Sequence, residues 1–332
     1  MTNTDIKIDD ALLEEAFAFE EASINIIATC KRKTRSMMGV AILALAGVGY
    51  AAIIGMIGTT VAVVAAVIVL LVGTIYRSIV YGPVLKFRRS VKLEFGNKLM
   101  AQYDQNLVLT GRGYDRMKFD RDLKGVIPEY DRFHSEDLIE GTYKSTPLRF
   151  YEVRLEIEKK IEKKGPDDEV TTTTKVEDVF RGFVVSIGLK RDFQGEITIR
   201  KNSIVNAVLD QERVRLESDE FENLFDVFAT DQITSRTLLT PVFIENMTAL
   251  ANNPSFKKTG LKVSKKISLG DQTFQATVRD DFLHLMIPSN ADKFEVYDDG
   301  QAIKLDRFVE TFQMDMNAIV RCIEGLNLAD EA

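Results

Sequence analysis

Residues 36–76 form an unbroken run of 41 positions without a charged side chain, almost all of them apolar or small. A single helix of that length would be about 60 Å long. A bilayer core is about 30 Å thick and takes roughly 17–25 apolar residues per helical crossing. The run is therefore too long for one crossing and suits two, at residues 37–54 and 59–76. Gly55-Met56-Ile57-Gly58-Thr59-Thr60 supplies the turn between them. Backbone groups in such a turn need water near the far headgroups. A re-entrant wedge dipping into one leaflet is the alternative; two helices of this length fit a full crossing better.

Charge orients the hairpin. Lys31, Arg32, Lys33 and Arg35 precede it, Arg77, Lys86, Arg88, Arg89 and Lys92 follow it, and the turn carries no charge. The positive-inside rule places both flanks, and so both termini, in the cytoplasm. These nine side chains are the expected contacts with anionic headgroups. The apolar run starts too late, and after too acidic a leader, for a secretory signal peptide. Gly47, Ala51 and Gly55 on the first helix, with Ala62 and Ala66 on the second, recur every four residues. Small residues at that spacing let helix backbones approach in lipid, within the hairpin or between copies.

The flanks read as amphipathic helices. Asp9 or Asp10 can cap a leader helix reaching Cys30, with Leu13, Phe17, Phe19, Ile24 and Ile27 as its apolar stripe. Tyr81-Gly82-Pro83 predicts a break after the hairpin. Beyond it Phe87, Val91, Phe95 and Leu99 recur every four residues among basic side chains. That helix is expected on anionic lipid, or against the acidic leader. Four regions follow: residues 1–35, 36–76, 77–110 and a body at 111–328.

The body reads as strands followed by helices without βαβ alternation, hence an α+β cytosolic domain behind an N-terminal two-helix transmembrane hairpin. Residues 148–161 alternate, and residues 171–179 return after Lys163-Lys164-Gly165-Pro166-Asp167-Asp168 as a long hairpin. Short strands are expected at 182–189, 196–200 and 224–228, and a meander at 261–268, 274–278 and 282–287 turning at Gly270-Asp271 and Asp280-Asp281. Helices are expected at 231–251, broken at Thr240-Pro241, and at 303–326.

Specific spacings run through this body. Val179-Phe180-Arg181-Gly182 and Phe193-Gln194-Gly195 precede Glu217-Ser218-Asp219-Glu220-Phe221-Glu222. Phe225-Asp226-Val227, Asp231-Gln232, Arg236 and Leu239-Thr240-Pro241-Val242-Phe243 follow. The series resembles the bacterial membrane family named "domain of unknown function 3137", over about residues 137–328. The resemblance implies an architecture and a bacterial setting, and no activity. The acidic run at 217–222 is expected to be a cap or surface loop.

Chemical motifs are sparse. Fifty Asp and Glu against 43 Lys and Arg, a net charge of −7, argue against general nucleic-acid binding. Two cysteines exclude a disulfide scaffold. Thr110-Gly111-Arg112-Gly113 lacks the lysine of a phosphate loop and reads as a turn. Asp120-Arg121-Asp122-Leu123-Lys124-Gly125 puts a cation at a calcium-ligand position and reads as a charged turn. Tyr297-Asp298-Asp299-Gly300 is likewise a turn. His284 alternates within a strand and is expected on its surface face; His134 lies beside Ser135 in a loop. Cys30 is a juxtamembrane thiol, buried or idle unless acylated, and Cys322 reads as helix core. No catalytic, cofactor-binding or metal-binding residue is assigned.

The expected protein is a membrane-anchored interaction or scaffold protein of a bacterial inner membrane. Its expected partners are anionic lipid and either another protein or a second copy. The alternative is a membrane-surface enzyme or lipid-handling protein acting near the basic collar. An ion-conducting oligomer is disfavoured, because the crossings carry no ionisable residue except the tyrosines Tyr50 and Tyr76.

Overall fold

The computed structural model describes residues 10–164, 170–189, 193–201, 211–252, 274–289 and 294–326. They fall into two compact units: residues 10–98 with 295–310, and residues 99–294 with 311–326.

The first unit is built on two long helices, α1 (Asp10–Ile53) and α2 (Thr59–Met100). They run antiparallel. Phe19 of α1 meets Phe87 and Phe95 of α2 at centroid distances of 6.1 and 6.3 Å. Ile27 and Cys30 are buried with Val80 and Val84. Nearer the turn, Met37 approaches Gly73.

The expected break at Tyr81-Gly82-Pro83 is absent, and α2 runs through Pro83. Proline removes one helical N–H and leaves the carbonyl four residues earlier without its donor. Packing offsets that loss, since Val80 and Val84 flank the site and are 8% and 5% exposed. The Cys30 thiol also donates to the Val80 carbonyl at 3.0 Å. The leader and the first apolar segment likewise merge into one helix. Between them lie Lys31, Arg32, Lys33 and Arg35, of which the lysines and arginines are good helix formers.

A short strip completes this unit: β10 (Tyr297–Asp298), β11 (Ile303–Lys304) and the start of α7 (Leu305–Gly325). Asp299 closes the expected turn by accepting from the backbone N–H groups of Gln301 and Ala302 at 2.7 and 2.8 Å. The first N–H groups of a helix have no partner within it. Here Glu20 of α1 accepts from Leu305 N at the start of α7 at 3.0 Å, and Ser23 Oγ accepts from Ile303 N of β11 at 2.8 Å. Phe95 and Phe308 are fully buried, 6.3 Å apart.

The second unit is α+β. Its nine-stranded sheet is antiparallel throughout, in the order β1-β2-β3-β4-β9-β8-β5-β7-β6. The strands are β1 (Val108–Leu109), β2 (Arg132–Tyr143), β3 (Thr146–Lys164), β4 (Val170–Gly188) and β5 (Ile197–Lys201). β6 (Glu212–Val214), β7 (Phe225–Ala229), β8 (Gln275–Arg279) and β9 (Phe282–Pro288) complete it. Asp280 and Asp281 join β8 to β9 with both φ positive (49° and 60°), the backbone of a tight hairpin turn. The expected meander strand at 261–268 lies outside the described residues, as does the tip of the long hairpin at 165–169.

Central strands are buried on both faces. On one face α3 (Arg116–Asp122) lays Phe119 and Leu123 over Tyr151, Val184 and Met286. On the other, Phe150 packs on Phe183 and Phe294, and Phe294 on Phe312 of α7, at 5.0–5.4 Å. β3 and β4 outrun their neighbours. Past Glu156, where β2 pairing ends, residues 157–164 and 170–177 pair only with each other among the described residues.

Candidate functional site

The residues of the sequence motif at 217–241 converge on one groove. Ser218 caps α4 (Asp219–Leu224), its hydroxyl accepting from Phe221 N at 3.3 Å. Side chains of this type at a helix start satisfy an otherwise orphaned donor. Phe221, thus placed, is fully buried 5.1 Å from Phe225. The acidic run is therefore a cap followed by one and a half turns of helix, with Glu222 folding back to accept from Leu216 N at 2.7 Å. Asp231 caps α5 (Gln232–Leu238) through bonds from Ile233 N and Thr234 N. Those bonds, with that of the Thr234 hydroxyl first, hold its carboxyl below the usual range. The chain breaks where Thr240-Pro241 predicts, and Thr240 Oγ1 accepts from Phe243 N to start α6 (Pro241–Asn252).

Between α4 and α6 lies a groove of about 710 Å³. Leu239, Ile244 and Thr248 form its buried floor. Its rim carries Glu217, Glu220 and Glu245 against one cation, Arg236. Asn252 donates to Glu220 at 3.0 Å. Glu217 and Glu245 form no ion pair among the described residues.

A second feature escapes sequence reading altogether. Ser186 of β4 and His284 of β9 are cross-strand partners, and Ser186 Oγ lies 2.8 Å from His284 Nδ1. Both are 1% exposed. The expected surface position of His284 is thus wrong, because α3 and the turn after it cover that face. Burial lowers the imidazole to a pKa of about 4, so it is neutral at physiological pH. Among the described residues the Tyr151 hydroxyl and Thr198 Oγ1, both on the same face, have no hydrogen-bond partner. Asp122 is buried there too, accepting from the Tyr114 hydroxyl at 2.6 Å and from Arg121. Burial first, then Asp122, raises the Tyr114 phenol. A serine hydrogen-bonded to an imidazole is the nucleophile–base geometry, yet both groups are closed off from solvent.

The remaining sequence candidates have ordinary places. His134 is an exposed strand residue 3.4 Å from Glu156, with Ser135 Oγ accepting instead from Tyr114 N. Asp120 and Asp122 lie on α3, not in a loop. Among the described residues no cluster of three or more His, Cys, Asp or Glu is arranged to hold a metal. The Cys322 side chain lies outside the described residues. Of the nine basic collar residues, Arg88 pairs with Asp298 and Lys92 with Glu295 at 2.7 Å. Lys31, Arg32, Lys33, Arg35, Arg77, Lys86 and Arg89 form no ion pair among the described residues. Of the small residues, Ala51, Ala62 and Ala66 are half-buried, whereas Gly47 and Gly55 have no neighbour within 4 Å of where a Cβ would sit.

Both long helices are apolar and long enough to cross a bilayer, and neither apolar window is buried. Ile42, Leu43, Ile53, Val63, Leu70 and Ile75 are each more than half exposed. An apolar surface of that extent is a membrane or partner surface, not an aqueous one.

Comparison with known proteins adds a family likeness over part of the chain but no activity. Residues 178–328 match the family model described as "Protein of unknown function (DUF3137)". The match contains every motif quoted for the resemblance; residues 137–177 and both long helices lie outside it. No curated protein matches the sequence. Among solved structures, the crystal structure of the mycobacterial trehalose monomycolate transport factor A, TtfA, is similar to 74% of this chain and 96% of its own, at 8% identity and a TM-score of 0.36. An overlap that loose carries no argument.

Proposed function

We propose that this chain is a membrane-anchored interaction protein. Residues 36–76 span a bacterial cytoplasmic membrane as a hairpin, and both termini lie in the cytoplasm. The body takes a basic amphipathic segment of a partner protein into the groove between α4 and α6.

The groove carries this reading. Three carboxylates face one guanidinium around an apolar floor, which suits a segment with cations on one side and aliphatic side chains on the other. Its volume falls in the range of ligand and peptide pockets. Opposite charges across an interface steer encounter and select partners. The uncharged run with basic residues at both ends and an uncharged turn supports the anchor. The collar residues free of carboxylates would then sit at anionic headgroups.

A photo-crosslinking residue at Ala249, in the full chain in its native membrane, tests the groove. The expected result is a crosslink to a Lys- and Arg-rich segment of one protein, weakened by salt and lost in the double variant Glu217→Lys/Glu245→Lys. A crosslink indifferent to that reversal overturns the reading, and one to a second copy replaces the partner by self-association. Topology is tested by Gly58→Cys in a chain lacking Cys30 and Cys322. A membrane-impermeant thiol reagent added from outside should label it; a protected Cys at position 58 would make the hairpin re-entrant.

A further inference from the structure

The loop Thr110-Gly111-Arg112-Gly113, a turn by its sequence, lines a second groove on the body through Thr110 and Arg112. This groove of about 570 Å³ runs past Thr110, Arg112, Glu140, Pro147, Arg149 and Phe282. Close packing fixes the backbone around it. A Cβ on Gly113 would stand 2.0 Å from the Ser135 carbonyl oxygen. Gly141 has φ +147°, and a Cβ there would stand 1.9 Å from the Asn106 carbonyl oxygen. Both positions therefore require glycine, and the loop lies flush on β2 with Arg112 at the groove.

Arg149 comes from the sheet itself. It pairs with Glu140 of β2 and Ser186 of β4 in the strand register. Its guanidinium sits 4.4 Å over the Phe282 ring, a contact that holds the planar group in place without consuming its N–H donors. Neither Arg112 nor Arg149 forms an ion pair among the described residues. Glu140 is the one carboxylate among the lining residues. Two cations, one of them half-buried and pre-positioned, thus share a concave site with a single acid. Guanidinium forks match phosphate oxygens in pairs, and two forks suit a group with three terminal oxygens better than a carboxylate with two.

We infer that the groove between Arg112 and Arg149 binds a phosphoryl group, carried either by a lipid headgroup or by a soluble phosphate compound. Arg149 makes the principal contact and Arg112 closes over it. The exposed apolar wall of Val108 and Pro147 leaves room for an uncharged body attached to the phosphate.

The chain has only two histidines, and one of them, His284, shares the sheet row of Arg149 through Ser186. Histidine labelled with ¹³C in the full chain therefore gives a two-signal readout. The protein is placed in nanodiscs of phosphatidylcholine and titrated with inorganic phosphate at constant ionic strength, with acetate as control. The expected result is a saturable shift of the His284 signal with His134 unmoved. Arg149→Gln should weaken it roughly tenfold or more. Arg112→Gln should weaken it less, and Arg149→Lys should fall between wild type and Arg149→Gln. Acetate should bind more weakly than phosphate. If phosphate is silent but phosphatidic acid in the nanodisc shifts His284 with the same arginine dependence, the site takes a lipid headgroup. Silence with both, a shift that survives Arg149→Gln in a variant whose circular dichroism matches wild type, or acetate binding as tightly as phosphate overturns the inference.

Discussion

The two units use apolar residues in opposite ways. In the body, aromatic and aliphatic side chains face inward on both sides of the sheet: Phe119, Phe150, Tyr151 and Leu285 are all at most 1% exposed. In the middle of α1 and α2 they face outward, with Leu43 at 74% and Leu70 at 59%. The same chemistry thus builds a core in one unit and a surface in the other. Average composition therefore says little about which way apolar side chains face; the ordering of charge along the chain decides.

Truncating an apolar side chain in each unit should give the largest contrast. Phe119→Ala, in the covered face of the sheet, is expected to destabilise the body by about 3–5 kcal/mol through lost burial and a cavity. Leu70→Ala in lipid exchanges one apolar contact for another and should cost less than about 1 kcal/mol. Denaturant unfolding of both variants in nanodiscs checks this. Equal losses would mean that Leu70 is covered by protein.

Adding a charge reverses the ranking. Val67→Arg, on the exposed face of α2, should cost about 2.5–3.5 kcal/mol of membrane insertion. Val176→Arg on the half-exposed ribbon should stay within about 0.5 kcal/mol. Carbonate extraction of the first and thermal unfolding of the second separate them, and unimpaired insertion of Val67→Arg would break the bilayer assignment.

A third contrast is in pH. Residues 36–76 hold no carboxylate, amine or imidazole, whereas the body buries His284. Its pKa falls from 6.5 in the unfolded chain to about 4 in the fold, chiefly through burial. Asp122 and Asp280 act the other way, and Arg149 adds to the lowering. The unfolded chain therefore binds the extra proton between those values. The stabilisation is present above about pH 6.5, is lost as pH falls toward 4, and amounts to about 3 kcal/mol across that window. His284→Gln should flatten this part of the acid-unfolding curve, and an unchanged slope would place the sensitivity elsewhere.

These contrasts also mark what was legible in the residues. The two long apolar helices, the turn at Asp280-Asp281 and the break at Thr240-Pro241 are written in single local signals: charge absence, a hairpin dipeptide, a cap before proline. α3 was not legible, because five of its seven residues are charged and only Met117 and Phe119 are apolar. β2 was obscured by the irregularity between Glu136 and Ile139, where Asp137 takes φ 56° and the alternation slips. The burial of His284 follows from α3, so missing the helix misplaced the histidine. The second groove and the buried Ser186–His284 pair come from register: Glu140 meets Arg149, and Ser186 meets His284, only once four strands are aligned. The helix through Pro83 is not legible locally, because the packing that offsets the proline comes from a partner more than fifty residues away.

Helix starts differ between the units in the same sense. α4 has six residues, too few for cooperative helix formation to hold it, so its cap matters. Ser218→Ala should cost about 1 kcal/mol and loosen the acidic rim, seen as faster amide exchange at Phe221. Thr59→Ala, at the head of the 42-residue α2, should cost less. Equal effects would show that tertiary packing rather than the cap positions α4.

The smallest effect expected is at the end of the helical pair farthest from its turn. Glu15 of α1 pairs with Lys98 of α2, and both side chains are partly exposed, at 31% and 43%. In water such a pair gains little, because hydration competes with it and two long side chains must be ordered. Glu15→Gln should therefore cost no more than about 0.5 kcal/mol, and raised salt should erase the difference. Cys30, Val80 and Val84, on the same two helices, should be insensitive to salt, since their contact is apolar and buried. Thermal unfolding at two salt concentrations, for Glu15→Gln and Val84→Ala, separates the two. A salt-dependent loss for Val84→Ala would mean that charge rather than packing joins the helices where they leave the uncharged run.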